Sequence, residues 1–325
     1  ICIWGAPAML GLYGLTGWFI GMQNSRIPMY IAITQNVVNI IASLGLVYLC
    51  GMKVEGVALG TLIAQYAGFL MGIALWMHNY GRLKRLWEIK NYKLKIKGGE
   101  EAGIWEKGVM LRFFQVNRDI FLRTLCLVAV TLFFTSAGAS QGEIILAVNT
   151  LLMQLFTLFS YVMDGFAYAG EALSGRYIGA RNREAFTDTV RHLFGWGAVM
   201  AVLFTLVYAL GGNAFLGLLT DDKEVIAVAD TYFYWALAVP AVGIAAFIWD
   251  GIFIGATATR GMLLSMAAAA VSFFILYYGL HPVLANHALW LAFLTYLLMR
   301  GVVQTGLSRE VIRRAFPSKK EPAWR

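Results

Sequence analysis

Nine stretches of this chain are apolar for 18 residues or longer, and that fact constrains its fold more than any other. They fall at roughly 1–22, 28–50, 54–77, 107–136, 143–172, 191–217, 225–255, 262–280 and 285–306. A run of that length is long enough to cross the hydrocarbon core of a bilayer as a helix. Inside lipid the backbone has no water to bond to, so a spanning segment that is not part of a closed barrel must be helical. Several runs exceed about 20 residues, which implies tilt or extension into the interface. Composition agrees: 59% of residues are hydrophobic and 14% charged, against roughly 45–50% and about 25% for soluble domains. The longest polar stretch runs from His78 to Lys107, and no segment is polar enough to be a separate soluble domain. The chain begins at Ile1 with no charged region ahead of an apolar core, unlike a signal peptide. It reads as starting inside a helix.

The connecting loops test the count. Basic loops are found around Arg26, across 78–107 (Arg82, Lys84, Arg85, Lys90, Lys93, Lys95, Lys97), at Arg181 and Arg183, at Arg260, and in the tail from Arg309 to Arg325. Between them lie loops that are neutral or acidic: 51–55, 135–143, 212–224 with Asp221, Asp222 and Glu224, and 280–287. The two kinds alternate through all nine spans. By the positive-inside rule the basic loops and the C-terminus face the cytoplasm, as in a multi-pass protein of a bacterial plasma membrane. A formal charge of +8 is accounted for by these loops, so nucleic acid is not expected as a partner. Cys2, Cys50 and Cys126 are an odd, scattered set, not a disulfide framework.

A short internal repeat is visible. Gly17-Trp18-Phe19-Ile20-Gly21-Met22-Gln23-Asn24-Ser25-Arg26 recurs as Gly251-Ile252-Phe253-Ile254-Gly255-Ala256-Thr257-Ala258-Thr259-Arg260. Pro7-Ala8 and Pro240-Ala241 precede the copies, one residue out of register. The repeat pairs the first span with the seventh. Six helices separate the copies, so they share one orientation, and the plan is parallel, six plus six. Spans four to six then need partners ahead of Ile1. The expected organisation is a partial N-lobe (1–80, three spans), a basic cytoplasmic linker (81–106), a C-lobe (107–308, six spans) and a cytoplasmic tail (309–325). Parallel repeats with a site between the halves are a known transporter plan.

Ionisable groups within a membrane helix cost on the order of 2.5–3.5 kcal/mol on insertion scales and are candidates for function. Span four carries Arg112, Gln115, Asp119 and Arg123 at steps of three, four and four, which places them on one face. Asp119 and Arg123, one turn apart, are expected to pair; the alternative for the stripe is a structural ion pair with Arg112 reaching to the interface. Span five carries Tyr161, Asp164, Tyr168 and Glu171 on one face, and span seven carries Asp250 ten residues after Pro240. In the first repeat copy the position of Asp250 is Thr16. Asn36, Asn39 and Ser43 on span two, and Thr61, Gln65 and Tyr66 on span three, are either interhelical glue or part of a site. The four histidines are placed at or beyond helix ends. The sequence holds no HExxH, CxxC, P-loop, GxSxG or Rossmann glycine pattern, so the machinery of a metalloenzyme, serine hydrolase or ATP-driven pump is absent from it.

The order and spacing of several stretches resemble the multidrug and toxic compound extrusion (MATE) family, closest to its DinF-type branch. They are Gly17–Arg26 followed by Pro28, Asn36–Asn39 with Gly56–Thr61, Asn117–Thr124, and Asp164–Ala167 through Glu171–Gly175. The resemblance implies an all-α membrane bundle of two pseudo-symmetric lobes, holding family helices four to twelve. It further implies a monomeric antiporter that is not an enzyme, has no cofactor, and is coupled to H+ or Na+ in exporting amphipathic, cationic compounds. By position, Asn39 and Thr61 match polar residues of the family's N-lobe cation site, where Ser43 stands for a usual acid. Asp250 matches an acid tied to cation coupling, with sodium one option there. The acid expected on span four is replaced by Arg123, with Asp119 one turn away. Asn36, Ser43, Gln115, Asp164 and Glu171 are then candidates for the substrate cavity. Two other readings stay open: a lipid-linked oligosaccharide flippase of the wider superfamily, for which Arg112, Arg118 and Arg123 would serve phosphates, and an integral-membrane transferase.

Overall fold

The computed structural model describes residues 1–96 and 107–316. A short 3-10 turn, Cys2–Gly5, leads into nine helices: α1 (Ala6–Gly21), α2 (Arg26–Tyr48), α3 (Val54–Ile96), α4 (Lys107–Ala139), α5 (Glu143–Gly179), α6 (Arg183–Leu219), α7 (Lys223–Gly255), α8 (Thr259–Leu284) and α9 (Asn286–Ala315). There is no strand among the described residues. Each helix, α1 taken together with the turn before it, contains a segment long and apolar enough to cross a membrane.

The spans sit where the apolar runs put them, but the helices outlast the runs. α5 continues to Gly179, α6 begins at Arg183, and α9 continues to Ala315. Polar residues at a helix end can keep the i→i−4 ladder going once the helix has left the apolar layer. α3 shows this most: its apolar part ends at Gly81, yet the helix continues to Ile96, through much of the stretch expected to be linker. Residues 97–106 of that stretch, and 317–325 of the expected tail, lie outside the described residues. The longer helices also place His78 and His192 inside α3 and α6 rather than at helix ends.

Helix ends are set by specific chemistry. Asn182 caps α6 by accepting from the Ala185 N–H at 3.0 Å. Asp222 caps α7 by accepting from the N–H groups of Glu224 and Val225. Such caps satisfy donors that the first turn cannot. The turn after α1 and the turn after α7 are built alike. The N–H of Gln23 bonds back to Ile20 O and that of Asn24 to Phe19 O; the N–H of Thr257 bonds to Ile254 O and that of Ala258 to Phe253 O. Gln23 and Thr257, equivalent in the repeat, both take left-handed backbone angles, φ 60° and 53°. This is the hydrogen-bond pattern of a Schellman ending.

The chain divides into two compact units, Ile1–Glu106 and Lys107–Arg325. In the first, α3 packs against α1 and α2, and Leu12, Phe19, Ile27 and Ile31 form a small core against Phe69, Trp76 and Tyr80. In the second, α7 is the central helix, packed by α5, α6 and α9, while α8 lies against α4 and α9. Gly251 and Gly255 let α7 approach α5 closely: a Cβ added at Gly251 would lie 2.0 Å from the Ala167 carbonyl oxygen, and one at Gly255 2.4 Å from that of Glu171. Small residues permit such backbone contact between membrane helices. Asn149 of α5 and Asn286 of α9 exchange two amide hydrogen bonds, 2.8 and 3.0 Å, and Trp290 donates its indole N–H to Asn149 Oδ1 at 2.8 Å.

Candidate functional site

Three helices of the second unit meet at Asp250. α7 carries the carboxylate at a fully packed level of the bundle, between Trp249 and Gly251. From α4, Arg123 donates to Asp250 Oδ2 at 2.5 Å. From α9, Arg300 donates to the same oxygen at 2.6 Å and Gln304 to Oδ1 at 2.5 Å. The side chains of Arg300 and Asp250 are 5% and 11% exposed, and that of Arg123 is 22% exposed. The Arg300 guanidinium also lies over the rings of Phe247 and Tyr296, at 5.9 and 5.6 Å, where a ring face attracts a cation. Beside it, the Trp249 indole bonds to Thr305 at 2.8 Å.

The cluster holds two guanidiniums and one carboxylate, an excess of one positive charge. It is also not fully satisfied: Arg123 Nε, Arg300 Nε and Gln304 Oε1 are buried without a hydrogen-bond partner. Charged groups inside an apolar bundle are costly and mark candidate working sites.

Two of its members escape a reading of the sequence. Arg300 and Gln304 lie four apart, with Tyr296 four before them; that i, i+4 series on one face was the available signal. The expected pair of Asp119 with Arg123 is not formed. Arg123 is drawn across to α7, and Asp119 is bonded instead by its chain neighbour Arg118 at 3.0 Å and by the Thr259 hydroxyl of α8 at 3.5 Å. Asp119 is buried, but it belongs to a different locus. Arg112 and Gln115 line a cavity there with it, so the four-residue stripe of α4 serves two places.

Residues 120–280, which include Arg123 and Asp250, match the family model MatE, that of multidrug and toxic compound extrusion proteins. The chain is 39% identical over 297 residues to DNA damage-inducible protein F of Escherichia coli, a match covering 91% of this chain and 62% of that protein. The chain carries a MATE-family domain. It is also 22% identical over 228 residues to a probable multidrug resistance protein NorM of Photorhabdus laumondii, covering 69% of this chain and 48% of that one. The chain thus spans less than two thirds of the length of these relatives. Among solved structures it superposes on a eukaryotic MATE transporter with a TM-score of 0.78 at 13% identity, covering 96% of this chain and 70% of that one. A MATE transporter of Vibrio cholerae gives 0.77 at 15% identity, covering 95% and 68%. At such identities the likeness is one of fold: an all-helical MATE architecture.

Within the MATE-family domain, α5 presents Asp164 and Glu171. Asp164 is exposed and within electrostatic reach of Asp250 and Arg300, so it borders the cluster without bonding to it. Glu171 is half-buried, and its main-chain carbonyl is part of the close approach to Gly255.

The first unit has its own polar group. Ser43 donates to Asn39 Oδ1 at 3.1 Å, Asn39 Nδ2 to Thr61 Oγ1 at 3.5 Å, and Thr61 back to its own helix at Val57 O. Asn36 stays outside it, exposed and bonded to Ala32 O at 2.9 Å. Asn39, Ser43 and Thr61 therefore join α2 to α3 with neutral groups that already satisfy one another. Arg118 and Arg123, two of the three arginines that a phosphate-handling flippase would have used, are bonded to carboxylates.

Proposed function

We propose that the polypeptide bearing this chain is a secondary active transporter of the MATE type. It would be a cation-coupled antiporter that exports amphipathic, cationic compounds by alternating access, with the basic loops and the C-terminus in the cytoplasm. The observation that carries the reading is the Asp250 cluster: a carboxylate held by donors from two other helices inside an apolar bundle, with its charges unbalanced and three polar atoms unpartnered.

Coupling follows from competition. Three nitrogen donors already occupy the oxygens of Asp250, out of about four lone-pair positions on a carboxylate, so a proton or sodium ion that takes the carboxylate competes with them. Arg123 is the more accessible guanidinium and comes from a different helix than Arg300 and Gln304. Exchange of Arg123 for the coupling cation would loosen α4 from α7. A cation that binds Asp250 only in that loosened arrangement shifts the equilibrium by its differential affinity, as coupling requires. Asp164, exposed beside the cluster, is suited to meet a cationic substrate. Asn39, Ser43 and Thr61 offer the first unit a neutral set of oxygens.

The test is Asp250→Asn, which keeps shape and hydrogen bonding but cannot be charged. The variant should insert and fold and should still bind a fluorescent cationic dye, yet lose most gradient-driven dye efflux from proteoliposomes. Pumping at the parental rate would exclude Asp250 from coupling and leave it a structural ion pair. If the Asn variant is not recovered folded, Arg123→Gln carries the same test, because Arg300 still pairs with Asp250.

A further inference from the structure

A cavity of about 920 Å³ opens at the basic end of the second unit, and none of the proposed coupling chemistry uses it. Three parts of the fold wall it: α4 with Arg112, Arg118 and Asp119, the α7–α8 turn with Thr257 running into the first turn of α8 with Arg260, and the end of α9 with Glu310 and Arg314. Its volume falls within the range of small-molecule sites.

The charges around it do not balance. Asp119 is held by Arg118 at 3.0 Å, and Glu310 is held by Arg314. Both carboxylates are thereby committed. Arg112 on α4 and Arg260 on α8 have no carboxylate partner among the described residues. Two uncommitted guanidiniums thus reach one cavity from two separate helices. Their planar donors suit the oxygens of a phosphate group. The first turn of α8, on the same wall, has neither a side-chain cap nor an acid, so its N–H groups add to the attraction for an anion.

We propose that this cavity binds a phosphate-bearing anion, either the headgroup of an anionic phospholipid or a free phosphate species. The positive-inside rule asks for basic residues at this end of the bundle, but not for convergence on one cavity. Arg309 and Arg313 make the contrast: both are exposed at the same end of α9, and neither lines the cavity. Basic pockets between membrane helices on the cytoplasmic side are suited to anionic headgroups. The proposal does not depend on the antiport reading, because binding is measured without transport.

The experiment uses the full-length protein in phosphatidylcholine nanodiscs. One arm adds phosphatidylglycerol, and the other adds inorganic phosphate with no anionic lipid. Binding is read as a saturable rise in melting temperature, and retained lipid is counted by native mass spectrometry. Arg112→Gln/Arg260→Gln should weaken binding roughly thirtyfold, given the usual contribution of two arginines near an anionic surface. Arg309→Gln/Arg313→Gln, an equal loss of charge, should change it little. Saturation by phosphatidylglycerol alone makes the ligand a lipid, and saturation by phosphate makes it a soluble anion; either supports the site. Equal losses in the two double variants would reduce the effect to diffuse surface charge and overturn the proposal. So would the absence of saturable binding in both arms, or unchanged binding in Arg112→Gln/Arg260→Gln.

Discussion

Residues 17–26 and 251–260 share Gly, Phe, Ile, Gly and Arg at equivalent positions, and both copies end a helix with the same backward bonds and a left-handed residue at the same place. Phe19 and Phe253, one at each position, are fully buried. Beyond the turn, the two regions differ. Gly251 and Gly255 are pressed against the backbone of α5, whereas Gly17 and Gly21 have nothing within 4 Å of where a Cβ would be. Asp250 in one copy is held by three side chains from two helices; Thr16 occupies that position in the other. Ten residues of sequence are enough to specify how a helix stops, because the bonds that stop it are local. What the helix does with its glycines and its charge is decided by the neighbours it packs against.

The largest effect should separate the two glycines. Gly251→Val places a side chain where the Ala167 carbonyl already is, and overpacking of that kind costs about 3 kcal/mol or more. Within these 325 residues Gly17→Val meets open space, and in this chain taken by itself it should cost within about 0.5 kcal/mol beyond its intrinsic propensity. Recovery of monodisperse protein and its melting temperature in detergent would measure both, and equal losses would mean that the close approach of α5 and α7 does not matter.

Next comes the charge cluster. In a double-mutant cycle by unfolding in mixed micelles, Asp250 and Arg123 should show a coupling of about 2–3 kcal/mol. Asp119 and Arg123 should add to within about 0.5 kcal/mol. A reversal would restore the pairing that their spacing suggests. The neutral group of the first unit should be weaker: Asn39→Ala should cost about 1 kcal/mol, as polar contacts between membrane helices do. A loss as large as that from breaking the Asp250 pair would show that Asn39 carries more than its two neutral bonds.

The smallest effect should be shared. Gln23→Gly and Thr257→Gly relieve the left-handed backbone and lose part of that gain to a freer unfolded chain. Each should stabilise by a few tenths of a kcal/mol in equilibrium unfolding. Opposite signs at the two positions would show that the turns are alike in form but not in strain.

Much of the fold was legible because a membrane span announces itself by length and polarity alone, without reference to any neighbour. Its ends were less so: α3, α5, α6 and α9 run on past their apolar segments, since hydrogen bonding rather than hydropathy keeps a helix going. The site was legible in part. Asp250 stands out as a carboxylate in an apolar run, but its partners do not follow from any one helix. The i, i+4 rule offers Asp119 to Arg123; a stronger competitor lies 127 positions away in sequence, and only the packing of α4 and α9 beside α7 brings it into reach. The same holds for Asn149 and Asn286, which are unremarkable as single residues and mutually complete as a pair.

That amide pair has a mechanical meaning. It pins α9 to α5 at one level, while Arg300 and Gln304 pin α9 to α7 at another. A slide of α9 by one turn, about 5.4 Å, would break both amide bonds and the indole bond together. Shear of that size between these helices carries the loss of all three bonds, so α5, α7 and α9 should travel as one piece, like a lever fastened at two points along its length.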